Sequence, residues 1–115
     1  MLGVSDWIKE AHPQPDVMGF PAATLTSITF HKQINRNTLT ERNILILDGN
    51  NGGRLISSRF LYRYEADTKT LIIYLKEDSD RLDSNHMIEI IMTGRISDVR
   101  NRKMEVPYHL RITTR

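Results

Sequence analysis

Residues 59–75 read RFLYRYEADTKTLIIYL, and this stretch decides the fold class. Large side chains recur at every second position in its first half, at Phe60, Tyr62 and Tyr64, as in a strand with one buried face. The polar run EADTK then interrupts the pattern with residues that favour a turn. TLIIYL at 70–75 resumes an apolar strand pattern, so the stretch predicts a β-hairpin.

The strand pattern continues on the N-terminal side of this hairpin. In LTSITFHKQI at 25–34, the residues predicted to share one face are Thr26, Ile28 and Phe30. NILILD at 43–48 is apolar on both faces, which indicates a strand in the middle of the fold. The DGNNGG run that follows must turn, because Gly and Asn accept positive φ at low cost.

Two further runs, HMIEIIMTGRI at 86–96 and VPYHLRITT at 106–114, alternate in the same way. The residues predicted to be buried in this half of the chain, besides those of the hairpin, are Leu55, Ile88, Ile90, Met92, Val106, Tyr108, Leu110 and Ile112. Several short strands, with turns between them and no βαβ rhythm, predict an all-β sandwich.

The N-terminal residues follow a different pattern. Apolar residues at helical spacing are Val4, Trp7, Ile8 and Ala11. The stretch is short and Pro13 ends it, so a short helix and an extended first strand both remain open. We therefore expect an N-terminal segment at 1–14, followed by one domain at 15–115.

Length and composition exclude several classes of protein. At 115 residues the chain has the size of one domain, and a sequence without cysteine has no disulfide, thiolate metal site or cysteine nucleophile. The net charge of +2 implies no strongly charged partner, and the basic residues near the C-terminus are too scattered to predict nucleic-acid binding. No segment has the basic start of a secretion signal or the ~20 apolar residues of a membrane span.

Short motifs follow one another in a recognisable order through most of the chain. They are GFP at 19–21, ITF at 28–30, INRNTLT at 34–40, YEADTKTL at 64–71, TGRISD at 93–98 and ITT at 112–114. Their order and spacing resemble bacterial Ig-like domain 5, a family of domains repeated in S-layer-associated and secreted surface proteins. The resemblance implies an immunoglobulin-like β-sandwich of about seven strands.

Within these motifs the polar residues have structural roles. Asp98 can accept hydrogen bonds from N–H groups a few residues further on and hold a turn, and Thr38 and Asn43 can do the same at an earlier corner. Asn101 and Arg102 stand where members of the family that this chain resembles usually have Gly-Asn. Asn tolerates a left-handed backbone, whereas Arg102 removes a side-chain oxygen from any ion site at this turn.

Candidate catalytic and metal-binding residues are few. The histidines are His12, His31, His86 and His109, and the acidic residues considered for a weak Ca²⁺ site are Asp78, Asp80, Asp83 and Asp98. No histidine pairs with a nearby carboxylate at a catalytic spacing, so we expect no enzyme. The acidic stretch lacks the glycine and final Glu of an EF-hand loop, so we expect a solvated charged loop and no cofactor.

Two functional hypotheses follow for a non-enzymatic structural or interaction protein. The first is a subunit of a phage virion or phage-like extracellular particle, because the sequence starts with Met, carries no secretion signal and holds a single immunoglobulin-like unit. The alternative is an adhesive or spacer module of a bacterial cell-surface or secreted protein. Such a module could also bind surface carbohydrate by stacking on Tyr62, Tyr64 and Tyr74, although tyrosines at this spacing are more often cross-strand pairs.

Under the first hypothesis the partners are other protein subunits of an assembly. The candidate interface residues are Leu2, Val4, Trp7 and Ile8, which are apolar and lie outside the strongest part of the resemblance. The strand that ends near Ile112 is a second candidate, as an exposed edge for strand addition. Neither a nucleic-acid partner nor membrane insertion is expected.

Overall fold

The computed structural model describes residues 7–13, 24–76 and 87–113. The regular elements in these ranges are eight β-strands and three short 3-10 helices. The strands are β1 (Ile8–Pro13), β2 (Thr24–Phe30), β3 (Ile44–Asp48), β4 (Arg54–Leu55), β5 (Phe60–Glu65), β6 (Thr70–Leu75), β7 (Met87–Met92) and β8 (Tyr108–Thr113), and the short 3-10 helices are Arg36–Thr38, Gly49–Asn51 and Ser57–Arg59. No helix in the described ranges is long and apolar enough to cross a membrane. The all-β prediction is confirmed.

The strands form two antiparallel sheets, with the orders β1-β2-β6-β5 and β4-β3-β7-β8. These orders correspond to strands A-B-E-D facing C-F-G of an immunoglobulin domain, with β4 as an additional strand beside β3. The predicted hairpin at 59–75 is β5 with β6, in a register that runs from Phe60 opposite Leu75 to Glu65 opposite Thr70. The immunoglobulin-like sandwich is therefore confirmed, with eight strands where about seven were expected.

The core lies between the two sheets. Thr26, Ile28 and Phe30 of β2 are 0%, 0% and 1% exposed, so the face predicted from the alternation is the buried one. The second sheet contributes Ile44, Ile46, Ile88, Ile90 and Met92, all fully buried. Burial of each such side chain stabilises the fold by roughly 1.5–3 kcal/mol, which makes this layer the main source of stability.

Two predicted core residues lie outside the core. Leu55 is 58% exposed because β4 has only two residues and pairs Leu55 with Leu47, on the side of the sheet that faces away from the other sheet. Val106 is 73% exposed because it precedes β8, which begins only at Tyr108 after Pro107. The alternating pattern therefore identified both segments as extended, but it placed Leu55 on the wrong face of its sheet and began β8 two residues too early.

The N-terminal residues that the structure describes form a strand rather than a helix. β1 pairs with β2 from Ile8 opposite Phe30 to Pro13 opposite Thr26, with a register shift between Ile8 and Glu10. A helix of this length has too few hydrogen bonds to be stable alone, whereas the edge of β2 supplies partners for an extended chain. Of the two alternatives left open for the segment at 1–14, residues 8–13 therefore follow the extended first strand.

Candidate functional site

One end of the sandwich is formed by residues 31–43, 66–69 and 93–107 together with the start of β1, and we call it the loop end. Backbone N–H groups donate across it from Phe30 to the carbonyl of Lys69, from His31 to that of Trp7 and from Asn35 to that of Ser97, each at 2.9 Å. These segments meet because β2, β5 and β7 end there and β1, β6 and β8 begin there. Loops grouped at one end of a sandwich are a common location for recognition.

A buried carboxylate organises the segment 93–107. Oδ1 of Asp98 accepts hydrogen bonds from the N–H groups of Arg100 and Arg102, both at 2.9 Å. Its Oδ2 accepts from Nε of Arg102 at 3.0 Å, and Nζ of Lys32 lies 4.0 Å away. Asn101, between the two donors, has a φ of 64°. The predicted turn role of Asp98 and the left-handed position of Asn101 are both confirmed.

These contacts determine the charge state of Asp98. Burial by itself would raise the pKa of this carboxyl group. The N–H groups of Arg102 and Arg100, followed by the guanidinium of Arg102, more than compensate and hold the pKa below its ordinary value. The carboxylate is therefore ionised at neutral pH, and Arg102 provides the positive charge that balances it.

The segment 31–43 is fixed to this turn by small polar side chains. Oγ1 of Thr38 donates to the carbonyl of Asn35 at 2.7 Å and accepts from the N–H of Ser97 at 3.2 Å. Nδ2 of Asn43 donates to the carbonyl of Thr38 at 2.9 Å. The corner predicted at Thr38 and Asn43 is confirmed, and it joins the segments on both sheets into one rigid unit.

A glycine permits the closest backbone approach in the loop end. A Cβ atom on Gly94 would lie 2.6 Å from the carbonyl oxygen of Glu105 and 2.7 Å from its carbonyl carbon. Glu105 itself has a φ of 68°, and its N–H donates to the carbonyl of Gly94 at 3.1 Å. The base of the segment 93–107 therefore closes only when position 94 has no side chain.

An open cleft of about 540 Å³ lies beside this unit, lined by Gln33, Ile34, Asn35, Arg36, Tyr64, Ala66 and Val99. The hydroxyl of Tyr64 donates to Oε1 of Gln33 at 2.7 Å and accepts from the N–H of Ile34 at 3.1 Å. Among the lining residues that the structure describes, the titratable ones are Arg36 and Tyr64. The cleft therefore offers hydrogen-bond donors to a polar ligand without an acid–base pair for proton transfer.

A second open cleft of about 580 Å³ lies further along the segment 31–43, lined by Asn37, Thr40, Glu41, Arg42, Asn43 and Arg95. Its charged lining residues are one carboxylate and two guanidinium groups. Neither cleft was predicted from the sequence, because each combines residues from segments far apart in the chain. The signal that could have pointed to them is the Asn-Arg-Asn-Thr corner at 35–38, which follows a buried strand.

The three tyrosines proposed as a sugar-stacking platform do not share one face. Tyr62 and Tyr64 pack against the core from β5, and the hydroxyl of Tyr62 donates to the carbonyl of Ser57 at 2.9 Å. Burial, with a smaller contribution from the charge of Glu41, raises the pKa of Tyr62 well above its ordinary value. Tyr74 follows the fully buried Ile73 on β6 and so points to the opposite side of the sheet. The stacking platform considered for these three tyrosines is therefore not assembled.

The candidate interface residues are divided between the core and the loop end. Ile8 is 7% exposed and belongs to the core, so its side chain contributes to folding rather than to an exposed anchor. Trp7 is half-buried at the loop end, where Nζ of Lys32 lies 4.1 Å from the centre of its ring in a cation–π contact. Leu2 and Val4 lie outside the described residues.

The other candidate histidines in the described ranges differ in their surroundings. His31 is exposed, and Nδ1 of His109 lies 3.9 Å from Oε1 of Glu89. No group of three or more His, Cys, Asp or Glu suited to a metal ion occurs within residues 7–13, 24–76 and 87–113. The candidates outside the described structure are Asp78, Asp80, Asp83, His86 and the side chain of His12.

Comparison with known proteins gives structural relatives only. No protein-family model matches the sequence, and no curated protein matches it. Domains 1–6 of the surface layer protein SbsC align over 96% of this chain with a TM-score of 0.63 and 13% identity. A second structure, of the S-layer protein rSbsC, aligns over 92% with a TM-score of 0.59 and 13% identity. The native E. coli alpha-2-macroglobulin aligns over 78% with a TM-score of 0.59 and 17% identity.

These matches concern the fold. The chain spans 14% and 13% of the two SbsC chains and 5% of the macroglobulin chain. It thus corresponds to a small part of each, and the shared feature is the β-sandwich.

Proposed function

We propose that this chain is a non-catalytic β-sandwich module of a bacterial cell-surface or secreted structural protein, in which it acts as a spacer between neighbouring parts. The similarity to S-layer and macroglobulin domains supports this proposal at the level of fold. The resemblance to bacterial Ig-like domain 5 agrees with it and is part of the proposal. The comparisons favour this alternative over the phage-particle hypothesis, for which they offer no support.

The observation that carries the proposal is the placement of the first and last strands. β1 begins at Ile8, opposite Phe30 at the loop end. β8 ends at Thr113, opposite Met87 at the other end of the sandwich. The first described strand therefore starts at one end of the sandwich and the last one stops at the other, an arrangement that suits a module between two neighbours.

The pairing of these strands also suits a spacer that carries tension. β1 pairs with β2 in one sheet and β8 pairs with β7 in the other, both antiparallel. A pull between the two ends acts along the strands and across their hydrogen bonds, which lie perpendicular to the strands. Several bonds must then break together, which is a more resistant arrangement than opening them one at a time.

Surface labelling tests the location. An antibody raised against the purified chain should label intact cells of the source organism, or detect the protein in their medium, as strongly as it detects it in a lysate. Detection only after lysis, with a cytoplasmic protein as the matched control, would overturn the proposal.

Pulling experiments test the spacer role separately. Identical copies joined end to end should unfold one by one at a higher force than copies linked through cysteines introduced at Asp67 and Val99, both exposed at the loop end. Equal forces for the two linkages would show that the strand arrangement has no mechanical role.

A further inference from the structure

The fold gathers basic residues that are scattered in the sequence. The three segments of the loop end carry a net charge of +4, whereas the whole chain carries +2, so the remaining residues carry −2. The small net charge of the chain is thus an average over regions of opposite sign. The basic residues of the three segments are Lys32, Arg36, Arg42, Lys69, Arg95, Arg100, Arg102 and Lys103, and the acidic ones are Glu41, Asp67, Asp98 and Glu105.

Most of these cations are not neutralised by their neighbours. The carboxylate of Asp98 is buried and is already paired with Arg102 and, more distantly, with Lys32. Five exposed cations form no salt bridge with any other residue that the structure describes, namely Arg36, Arg42, Arg95, Arg100 and Lys103. The positive charge at this end is therefore available to an outside partner.

The segment 93–107 forms a hairpin that lies across the end of the sandwich. Its two arms are joined by the N–H of Met104, which donates to the carbonyl of Ile96 at 2.8 Å. The first arm also pairs with the chain that follows β2, through the bridge between Asp98 and Ile34. The side chains of Ile96 and Met104, 0% and 6% exposed, close the core beneath the hairpin. The exposed residues of the hairpin therefore face away from the sandwich.

Exposed apolar side chains accompany these charges. Val99 and Val106 are 66% and 73% exposed, more than any other large hydrophobic residue that the structure describes. Both lie beyond the ends of β7 and β8. Val99 begins the run of exposed residues 99–103 at the tip of the hairpin, and it lines the same cleft as Arg36. The loop end therefore combines cationic and apolar groups on one surface.

We propose that the loop end docks on a lipid bilayer that carries anionic headgroups. Lysine and arginine are attracted to the negative surface of such a bilayer, and exposed apolar side chains between them can enter its headgroup region. This docking requires no segment that spans the membrane. The inference goes beyond the spacer function, and its test does not depend on that function. It is compatible with it, because a spacer that stands on a membrane holds the next part of the protein away from the lipid.

The composition of this surface favours a bilayer over other polyanions. Single-stranded nucleic acid binds where bases can stack on aromatic side chains, and the segments 31–43, 66–69 and 93–107 contain no Phe, Tyr or Trp. Duplex DNA is read by a helix or a β-ribbon that enters the major groove, and the one helix within these segments has only three residues. A soluble acidic polymer would gain little from two exposed valines. The valines therefore distinguish a lipid surface from a partner that offers charge alone.

The number of cations sets the selectivity of docking. Each Lys or Arg held near an anionic bilayer strengthens binding by about fivefold. Arg95, Arg100 and Lys103 of the hairpin, with Arg36 beside Val99, should together favour an anionic over a neutral bilayer by roughly a hundredfold or more. Because salt screens this attraction, docking should weaken as the ionic strength rises.

Cosedimentation of the purified chain with lipid vesicles tests the proposal. The chain should bind vesicles of phosphatidylglycerol and phosphatidylcholine in equal parts, and should bind pure phosphatidylcholine far more weakly. In the double variant Arg100→Gln with Lys103→Gln, the partition coefficient on the anionic vesicles should fall by about tenfold or more. The matched control, Arg54→Gln with Lys76→Gln, removes the same charge from exposed positions at the other end of the sandwich and should lose much less. Equal losses in the two variants, or equal binding to both kinds of vesicle, would overturn the proposal.

A second pair of variants tests whether the partner is a lipid. Val99→Thr with Val106→Thr keeps the side-chain shape and the charge, and should weaken binding to the anionic vesicles severalfold, because the added hydroxyl groups must be desolvated. Leu61→Thr, at an exposed leucine of β5, should bind as the unchanged chain does. If the valine variant bound equally well, the contact would be purely electrostatic, which would refute the lipid surface in favour of a soluble polyanion.

The single tryptophan reports the orientation of the docked chain without any variant. Trp7 lies half-buried at the loop end, with Nζ of Lys32 4.1 Å from the centre of its ring. A nitroxide attached to a lipid headgroup quenches indole fluorescence only at short range, so anionic vesicles that carry this label should quench the emission of Trp7 when the chain binds. Binding without quenching would place another part of the protein against the bilayer and refute the inference.

Discussion

Replacing Gly94 with Ala would place a methyl group against the backbone at Glu105. The new Cβ would lie 2.6 Å from the carbonyl oxygen and 2.9 Å from the Cα of Glu105, too close for real atoms. The obstacle is backbone, so no side-chain rotation can relieve it. Glu105 is already in a left-handed conformation and donates its N–H to Gly94, which leaves it little freedom to move.

The expected loss of stability follows from two opposing effects. Overpacking of this kind costs about 1–3 kcal/mol, while exchange of glycine for alanine reduces the entropy of the unfolded chain and returns about 0.4–1 kcal/mol. The net free energy of unfolding should fall by about 1–2 kcal/mol. For a domain of this size, the melting temperature should decrease by roughly 4–10 °C.

Urea and thermal unfolding, followed by circular dichroism, provide the assay. Gly53→Ala is the matched control, since Gly53 has a φ of 77° but no atom within 4 Å of an added Cβ. It should lose only the ~1 kcal/mol that a left-handed alanine costs. If Gly94→Ala were as stable as the unchanged chain, or more stable, the close approach of residues 94 and 105 would be refuted.

Three further substitutions probe the loop end and its surroundings. Asp98→Asn should lower the free energy of unfolding at neutral pH. Because the folded pKa of Asp98 lies below its unfolded value, this carboxylate contributes stability above about pH 4 that is lost as the pH falls through the folded pKa, so the difference should shrink in acid. Tyr64→Phe should cost about 1–3 kcal/mol in urea unfolding, because it leaves the N–H of Ile34 and Oε1 of Gln33 without their partner. Thr93→Val should preserve or raise the melting temperature, because Oγ1 of Thr93 is buried without a hydrogen bond among the described residues.

Each of these expectations has an outcome that contradicts it. If the stability difference between Asp98→Asn and the unchanged chain does not shrink at any acid pH at which both stay folded, charge is not the source of its effect; Asp67→Asn, in an exposed turn, is the control. If Tyr64→Phe leaves the free energy of unfolding unchanged, water must replace the lost partner, and the predicted cost is wrong. A Thr93→Val variant that unfolds more easily would reveal a hydrogen bond to this hydroxyl, and the exposed Thr68→Val is its control.

The parts of the fold that were predictable from the sequence depend on local order. A period of two identifies the buried face of β2 at Thr26, Ile28 and Phe30, because side chains alternate between the faces of any strand. Turn chemistry likewise located Asp98 and the left-handed Asn101 within a few residues of their partners. In both cases the interacting groups are close in the sequence.

The parts that were not predictable depend on contacts between distant segments. Alternation cannot show which face of a sheet has a second layer, so Leu55 was assigned to the core although it lies exposed on the outer face of the second sheet. The hydroxyl of Tyr64 forms hydrogen bonds with Gln33 and Ile34, which are 31 and 30 residues away in the sequence. No local sequence pattern indicates hydrogen bonds between such distant residues. The cleft beside the loop end depends on these contacts, so it emerges only in three dimensions.

The hydrogen bond between Thr38 and Ser97 joins residues that are 59 positions apart. Closing so long a loop costs chain entropy, and folds dominated by such distant contacts form slowly. The hairpin of β5 and β6, by contrast, closes over a four-residue turn. On a ribosome the hairpin can form as soon as it emerges, whereas the loop end must wait until the segment 93–107 has been synthesised. The rigid unit at the loop end therefore marks the completion of folding, and amide hydrogen exchange during refolding should show protection there last.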